Sequence, residues 1–296
     1  MSEPPSISVI VRTCGQSARL AEALDSLANQ TRRDFEAVVV DMSQGRSAEV
    51  LDRATHRLPK LRRLVQIRPL SRPVALNVGI AAAEAPRIGI LDEDNLYDPE
   101  HLERLVSGLE ATGADYVYTG VRHATFSRDG RRLGCRSVAV PFRFEHLVFS
   151  NYIYATGSAY RKAIWTRIGG YDERFAVFED WDFILRAAQA GKVIGLPVVS
   201  GESRKFTGIE GISSFDLEIR TVRRCHAGIY WKHRHLFRGE LRRQLRGIWA
   251  DHCRRRIPPR TGVLARSVAG WRLEIFSDLF SWWGHSLIGL AAREGS

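Results

Sequence analysis

The chain has 296 residues, of which 44% are hydrophobic and 26% charged, which excludes a disordered protein and fits one large α/β domain or one domain plus an extension. Its four cysteines (Cys14, Cys135, Cys225 and Cys253) lie far apart without a CxxC pair, which argues against a zinc ribbon or disulfide scaffold and favours a reducing, cytoplasmic setting. The net charge is +11, and we expect neither a signal peptide nor a membrane span, so that the protein is soluble or attached at most to a membrane surface.

The first 125 residues alternate short apolar runs with amphipathic stretches. Continuous β-branched runs predict strands buried on both faces, and apolar residues at helical spacing predict helices between them. The predicted strands are 7–11, 35–40, 64–67, 87–91 and 115–120. The predicted helices are 18–29, 73–83 and 99–109, the last two beginning with proline. This βαβ rhythm predicts a mostly parallel sheet flanked by helices.

Polar side chains follow three of these strands at the point where each strand ends. They are Arg12-Thr13, Asp41-Met42-Ser43 and Asp92-Glu93-Asp94. In open α/β sheets, ligands bind beyond the carboxyl ends of the strands. The three clusters therefore predict a ligand site at one edge of the sheet.

The pattern is more mixed between residues 134 and 200. It predicts a strand at 157–161, a helix near 162–168, a helix at 181–190 that ends at Gly191, and a strand at 193–199. From about residue 215 the composition changes to arginine-rich helical patterns with several tryptophans, interrupted at Ile257-Pro258-Pro259. We therefore predict domain bounds of 1–212 for an α/β domain and 213–296 for a basic helical extension.

The positive charge is concentrated in this extension. Residues 201–296 carry 18 Lys+Arg against 9 Asp+Glu, so most of the net charge lies there. Such a tail suits a polyanionic partner, namely anionic lipid, a phosphorylated acceptor or nucleic acid, and it equally fits a solvated helical surface.

Asp92-Glu93-Asp94 is the first candidate for a functional cluster. Three adjacent carboxylates repel one another, and an Asp-x-Asp pair at a strand end can hold a hard cation such as Mg²⁺ or Mn²⁺ together with a diphosphate. The alternative is an acidic loop that caps the helix beginning at Pro99. An EF-hand is excluded because the loop lacks the glycine needed at its sixth position.

Glu179-Asp180-Trp181-Asp182 is the second such cluster, at the start of a predicted helix. The helix dipole favours carboxylates there, so simple N-terminal capping is one interpretation. The functional interpretation makes one carboxylate a general base that takes a proton from an attacking hydroxyl. Asp41 is a candidate acceptor of hydrogen bonds from a base or ribose, and Arg72 a candidate phosphate contact.

In this order, the motifs resemble a family 2 glycosyltransferase with the GT-A fold. They are residues 6–13 (SISVIVRT), 24–31 (LDSLANQT), Phe35-Glu36, Val39-Val40-Asp41, 75–80 (ALNVGI), 91–94 (LDED), 169–175 (GGYDERF) and 179–186 (EDWDFILR). The resemblance covers roughly residues 6–210, and it implies a Rossmann-like, mostly parallel sheet with a nucleotide-sugar half at about 1–125 and an acceptor half at about 126–212.

The resemblance also implies roles for single residues. Thr13 and Asp41 would line the base and ribose, and Arg72 the base or diphosphate, with Arg12, Asn77 and Glu93 in the same donor-binding set. Asp92 and Asp94 would bind Mn²⁺ or Mg²⁺, Asp94 more directly. Asp180 would be the general base, with Glu179 beside it.

The implied reaction is an inverting transfer from a nucleoside-diphosphate sugar to a saccharide or lipid-linked hydroxyl, in bacterial surface polysaccharide or glycoconjugate synthesis. The acceptor would enter beside residues 157–161 and 175–180. The extension would make a peripheral contact with the cytoplasmic face of the membrane, or else pack on the catalytic domain or form a dimer. The sugar, the nucleotide base and the oligomeric state stay open.

Three positions depart from the family pattern. Met42 stands where members often have a second aspartate, which leaves the contacts to the base and ribose open. Leu76 stands where many members have arginine before Asn77, so that Arg72 is the expected source of that positive charge. Residues 204–208 contain no histidine where some members place a metal ligand, which leaves Asp94, phosphate and water for the metal, and Arg204 or Lys205 as candidate diphosphate contacts.

Other functions fit the sequence less well. A nucleotidyltransferase or nucleotide-sugar pyrophosphorylase would carry a glycine-rich basic loop, whereas residues 12–17 contain one glycine. NAD-binding and P-loop motifs are absent from the sequence. A nucleic-acid-binding protein would leave both acidic clusters unexplained, because they repel phosphate backbones, so we expect no nucleic-acid partner.

Overall fold

The structure is a computed structural model that describes residues 4–66, 70–206 and 219–237. The first part of the chain forms strands β1 (Ile7–Thr13), β2 (Phe35–Asp41), β3 (Leu61–Val65) and β4 (Arg87–Asp92). Helices α1 (Ser17–Ala28), α2 (Ala48–Thr55) and α3 (Arg72–Ala82) connect these strands. β1 pairs in parallel with both β2 and β4, and β2 pairs in parallel with β3, which confirms the predicted rhythm.

The second part extends the same sheet. Its elements are β5 (Leu96–Tyr97), α4 (His101–Thr112), β6 (Tyr116–Phe126), β7 (Arg132–Val138), α5 (Phe144–Phe149), β8 (Ser158–Arg161), α6 (Lys162–Arg167), α7 (Glu179–Ala190), β9 (Val193–Phe206) and α8 (Ile219–Lys232). The strand order is β3-β2-β1-β4-β8-β6-β9-β5, with β7 added on β6. β8 is antiparallel to both β4 and β6, and β7 and β5 are antiparallel to their neighbours, whereas β6 and β9 are parallel. The result is a mixed α/β sheet whose parallel half comes first in the chain.

The parallel strands are apolar on both faces because helices cover both sides of the sheet. All seven residues of β1 and all seven of β2 are buried. Gly79 shows how closely α3 approaches β1: a Cβ there would lie 2.6 Å from Cγ2 of Ile10. Any larger residue at this position would displace α3, which carries Arg72 at its first turn.

The chain divides into two units, Met1–His226 and Ala227–Ser296. In the second unit the structure describes the end of α8 and one turn of 3₁₀ helix, where Trp231 is 66% exposed and Arg234 lies 4.6 Å over its ring. The predicted boundary at 212 and most of the predicted extension, 238–296, lie outside the described residues and stay predictions. None of the helices that the structure describes is both long and apolar enough to cross a bilayer.

Candidate active site

The ends of three parallel strands bring the predicted polar clusters together. In the sheet register, Thr13 lies opposite Asp41 and Arg12 lies opposite Asp92. The strands continue into these polar residues. β1 ends two positions beyond the apolar run that predicted it, and β2 and β4 each end one position beyond theirs. This edge is where an open α/β sheet binds its ligand.

Arg12 and Arg72 bind the same two carboxylates. The Nε of Arg12 donates to Oδ1 of Asp92 over 2.9 Å, and its Nη1 lies 3.5 Å from Oε1 of Glu179. Nη2 of Arg72 lies 3.7 Å from Oδ2 of Asp92, and its Nε lies 3.4 Å from Oε1 of Glu179. Although burial opposes ionisation, the two arginines hold the pKa of Asp92 below its ordinary value. These contacts join the two acidic clusters, which are 87 positions apart in the chain.

Glu93 anchors the loop between β1 and α1. One of its carboxylate oxygens, Oε2, accepts a hydrogen bond of 2.6 Å from Oγ1 of Thr13 and one of 3.2 Å from the backbone N–H of Gln16. The other, Oε1, accepts one of 3.1 Å from the backbone N–H of Cys14. Glu93 and Thr13 therefore shape the loop that the resemblance assigns to the nucleotide, and a direct contact of either with a donor stays a prediction.

Asp94 differs from both of its neighbours. Among the residues that the structure describes, its carboxylate accepts no hydrogen bond and forms no ion pair, and only its backbone carbonyl is engaged, by Nε of Arg204 over 2.6 Å. Burial, reinforced by the charge of Asp92, raises the pKa of Asp94 to about 6. A bound cation would stabilise the charged form of this carboxylate, which burial disfavours.

The available carboxylates fit a metal ion that is bound by Asp94 and by a ligand together. Within the described ranges no group of three His, Cys, Asp or Glu side chains is arranged to hold a metal by itself. Asp92 is committed to two arginines, whereas Asp94 offers the hard oxygens that Mg²⁺ and Mn²⁺ prefer. These residues fit a metal whose remaining ligands are diphosphate oxygens and water, and the predicted ligation by Asp92 stays a prediction.

Asp180 lies on the first turn of α7, whose dipole favours acidic residues. Its Oδ1 accepts the backbone N–H of Trp181 over 2.7 Å, and its Oδ2 accepts Nδ2 of Asn151 over 3.2 Å. Burial, followed by the charge of Glu179, raises the pKa of Asp180 to about 6. Trp181 fixes this turn by donating its indole N–H to the carbonyl of Leu147 over 2.7 Å.

The residue before this turn, Phe178, has a φ of 62°, a left-handed conformation that is strained for a bulky side chain. Its ring packs edge-on against Trp181, with a centroid distance of 6.1 Å, and against His226 at 5.4 Å. Strain of this kind persists only where the surroundings determine it, and it is typical of functional sites.

Asp41 is fully buried and makes contacts within the protein. Oδ2 accepts two hydrogen bonds from Arg63, of 3.0 Å and 2.7 Å, and Oδ1 accepts the backbone N–H of Ser43 over 3.0 Å. It therefore fixes the turn after β2 and the Arg63 side chain. Its predicted contact with the base or ribose stays a prediction.

Asn77 connects α3 to the Gly169-Gly170-Tyr171 turn. Its Oδ1 accepts the N–H groups of Trp165 and Tyr171 over 3.2 Å and 2.9 Å, and its Nδ2 donates to the carbonyl of Tyr171 over 2.9 Å. Gly170 has a φ of 73°, and a Cβ there would lie 2.9 Å from Oδ1 of Asn77, so this turn needs glycine. In this structure Asn77 supports the loop before Asp180, and its predicted role in donor binding stays a prediction.

Two residues of the site have no clear signal in the sequence, since Arg63 lies in a short strand and Asn151 in an irregular segment. Arg204, a candidate diphosphate contact, donates to the carbonyl of Asp94, 110 positions away in the chain, and its contact with a diphosphate stays a prediction. The two departures at positions 42 and 76 are both core residues, since Met42 and Leu76 are buried. Arg72 forms ion pairs with Asp92 and Glu179, and its predicted contact with the base or diphosphate stays a prediction.

Comparison with known proteins identifies the family. The family model described as Glycosyl transferase family 2 matches residues 8–165, more than half of the chain. The chain belongs to this family. This membership favours glycosyl transfer over the nucleotidyltransferase and nucleic-acid-binding interpretations.

This family 2 glycosyltransferase is similar to a curated relative and to two solved structures. A PGL/p-HBAD biosynthesis glycosyltransferase of Mycobacterium bovis (strain BCG / Pasteur 1173P2) is 33% identical over 189 residues, which are 62% of this chain and 69% of the relative. S. aureus TarS 1-349 in complex with UDP-GlcNAc is 18% identical with a TM-score of 0.63, over 79% of this chain and 67% of that chain. In other structures of TarS the match covers between 40% and 65% of that chain.

The second solved structure is the mannosyltransferase PcManGT from Pyrobaculum calidifontis in complex with GDP-Man and Mn²⁺. It is 18% identical with a TM-score of 0.59, over 95% of this chain and 84% of that chain. At this identity both structural likenesses show the fold, and they confirm the GT-A architecture that the resemblance implied.

Proposed function

We propose that the protein transfers a sugar from a nucleoside-diphosphate sugar to an acceptor hydroxyl with inversion at the anomeric carbon. The observation that carries this proposal is a pair of carboxylates, Asp94 and Asp180, that form no ion pair with any described residue. Each lies beside a carboxylate, Asp92 or Glu179, that pairs with Arg12 and Arg72. Such a site has one carboxylate to face a metal and a diphosphate and another to accept a proton.

Asp180 acts as the general base in this proposal. The acceptor oxygen attacks the anomeric carbon, its proton passes to a carboxylate oxygen of Asp180, and the bond to the nucleoside diphosphate breaks with both electrons left on the diphosphate. A pKa of about 6 suits this role, since the group is ionised at neutral pH and still basic enough to accept a proton. Asn151 and the N–H of Trp181 orient the carboxylate.

Asp94 holds the divalent metal, Mn²⁺ or Mg²⁺, with Asp92 as the expected second acidic residue of the motif. When bound there, the cation supplies Lewis-acid stabilisation of the leaving diphosphate. Arg72, which is partly exposed, adds positive charge toward the same group. The complex of PcManGT with GDP-Man and Mn²⁺ and the complex of TarS with UDP-GlcNAc support a nucleotide-sugar donor and a metal for this fold.

The acceptor is a saccharide or a lipid-linked saccharide of a bacterial surface polysaccharide or glycoconjugate. The similarity to a glycosyltransferase of PGL/p-HBAD biosynthesis supports the glycoconjugate class. The exposed Trp231, flanked by Lys232 and Arg234, is a local combination that suits a peripheral contact with the cytoplasmic face of a membrane.

A nucleotide-sugar panel tests the proposal. We expect one UDP-, GDP- or TDP-sugar to raise the melting temperature of the protein in the presence of Mn²⁺, because a ligand that binds only the folded state stabilises it by about 2.7 kcal/mol at 100 times its Kd. Asp94→Asn should lose this stabilisation, whereas Asp129→Asn, an exposed aspartate of a turn, should keep it. A protein that no nucleotide sugar stabilises with Mn²⁺ or Mg²⁺ would contradict the donor site.

A further inference from the structure

A cavity of about 330 Å³ opens beside the Asp94 turn and has no role in the reaction described above. Its lining residues are Arg19 and Glu22 of α1, Phe126, Arg128, Asp129 and Gly130 at the β6–β7 turn, and Arg204 and Phe206 of β9. We call it the Arg19 pocket. Arg204 connects it to the active site, because its Nε donates to the carbonyl of Asp94 over 2.6 Å and its backbone N–H donates to Oδ1 of Asn95 over 2.8 Å.

Arg204 is a buried cation with an unused donor. Its side chain is only 6% exposed, and its Nη1 pairs with Glu22, which is itself largely exposed. Its Nη2 is buried and has no hydrogen-bond partner among the described residues. An unpartnered buried donor is costly, and the cost is greater for a charged group, so a ligand oxygen at this position would stabilise the protein.

Arg19 brings a second positive charge to the same cavity. Its guanidinium lies 3.7 Å over the ring of Phe206, while Phe126 stacks against that ring with a centroid distance of 5.1 Å. Its Nη1 donates to Oε1 of Gln16, and no carboxylate in the described part of the chain forms an ion pair with it. The guanidinium of Arg19 therefore packs on the Phe206 ring, and most of its five N–H donors have no partner among the described residues.

The β6–β7 hairpin adds positive charge, at Arg128 in the pocket lining and at further arginines outside the pocket. Arg128, Arg131 and Arg136, and Arg143 after β7, are exposed and form no ion pair with any described residue. Over residues 122–143 the sequence has six arginines and one acidic residue, Asp129. A surface of one sign raises the local concentration of an oppositely charged substrate and speeds its arrival.

We propose that the Arg19 pocket binds an oxyanion, a phosphate or a carboxylate, that the acceptor carries. The inference rests on the proposed function, and it adds that the acceptor is anionic close to the hydroxyl that receives the sugar. Six of the eight lining residues come from the half of the domain predicted to bind the acceptor, which favours an acceptor group over the donor diphosphate. Arg19 and Arg204 bind the oxyanion, and Phe206 positions Arg19.

Two small anions test the pocket without knowledge of the acceptor. Methyl phosphate and acetate are titrated separately into the full chain, with binding followed by the NMR signals of their methyl groups. We expect at least one of them to bind the wild type, Arg19→Gln to weaken that binding by roughly tenfold through the loss of charge-assisted hydrogen bonds, and Phe206→Leu to weaken it less. Arg53→Gln, which removes an exposed arginine of α2 that does not line the pocket, is the matched control and should bind like the wild type.

A parallel titration with UDP and Mn²⁺ separates this pocket from the donor site. We expect UDP to bind the wild type and Arg19→Gln alike. If neither anion binds the wild type, or if Arg19→Gln binds them unchanged, the pocket is not an oxyanion site. If Arg19→Gln weakens UDP and the anion together, the pocket belongs to the donor diphosphate, and the acceptor proposal is overturned. If the anion behaves as expected but UDP does not bind the wild type, the oxyanion site stands and the proposed function fails.

Discussion

The two acidic clusters have the same charge arrangement and differ in the hydrogen bonds of their second carboxylate, Asp94 or Asp180. In each, the first carboxylate, Asp92 or Glu179, is bound by Arg12 and Arg72. A carboxylate one or two positions later forms no ion pair within the described part of the chain. Both of the latter, Asp94 and Asp180, have a pKa raised to about 6, in each case chiefly by burial. The buried Arg12 and the partly exposed Arg72 thus neutralise one member of each cluster and leave the other without an ion pair among the described residues.

The difference lies in the hydrogen bonds. Asp180 is oriented by Asn151 and by the N–H of Trp181, as a proton acceptor must be, because proton transfer needs a fixed geometry. The carboxylate of Asp94 accepts no hydrogen bond from the described residues, which leaves both oxygens for a cation. Similar burial therefore suits one carboxylate to a proton and the other to a metal.

The largest effect is expected from a pair of substitutions in one helical turn. Asp180→Asn should lower kcat by about 10³-fold, because general base catalysis contributes about 10²–10⁴-fold, with little loss of stability. Asp182→Asn should do the opposite. It should retain kcat and lower the free energy of unfolding by about 3 kcal/mol, because Asp182 is fully buried and paired with Arg186. Initial rates and urea unfolding on both variants make the measurement. Full activity in folded Asp180→Asn would exclude Asp180 as the base.

A smaller effect should separate the two aspartates of the metal motif. Asp92→Asn should lower the free energy of unfolding by about 2–3 kcal/mol, because it removes one of the two carboxylates that compensate the buried Arg12. Asp94→Asn should leave the stability of the metal-free protein unchanged or raise it, because it removes a charge with no cationic partner. Urea unfolding in the presence of EDTA measures both. Equal destabilisation by the two substitutions would show that Asp94 also has a partner in the fold.

The smallest effect concerns pH. The rate should fall by about tenfold per pH unit below about pH 6, as Asp180 takes up its proton. The free energy of unfolding should change in the opposite direction from the rate. The folded protein holds the Asp180 proton more tightly than the unfolded chain does, so the free energy of unfolding falls as the pH rises from about 4 through 6. The urea midpoint should therefore fall less between pH 4.5 and pH 7.5 for Asp180→Asn than for the wild type. Identical losses would mean that the pKa of Asp180 is not raised.

The sequence was sufficient where the signal is local. Apolar runs predicted β1, β2 and β4 to within a few residues, and the polar residues that follow them lie together because parallel strands end at one edge of the sheet. The alternation did not predict that β8 is antiparallel to its neighbours, because strand direction depends on the path of the connections. It also missed β7, whose residues are mostly exposed and therefore not apolar.

The partners of the site residues were decided only by the tertiary structure. The sequence alone identified Asp92, Asp94, Glu179 and Asp180 as candidates, along with the family to which the chain belongs. Which of them Arg12 and Arg72 neutralise depends on β1, β4, α3 and α7 meeting at one point, from positions up to 167 residues apart. Similarly, Asp41 is bound by Arg63 because β2 and β3 are adjacent strands. Burial and charge pairing set the chemistry of a carboxylate, and both arise when distant segments pack together.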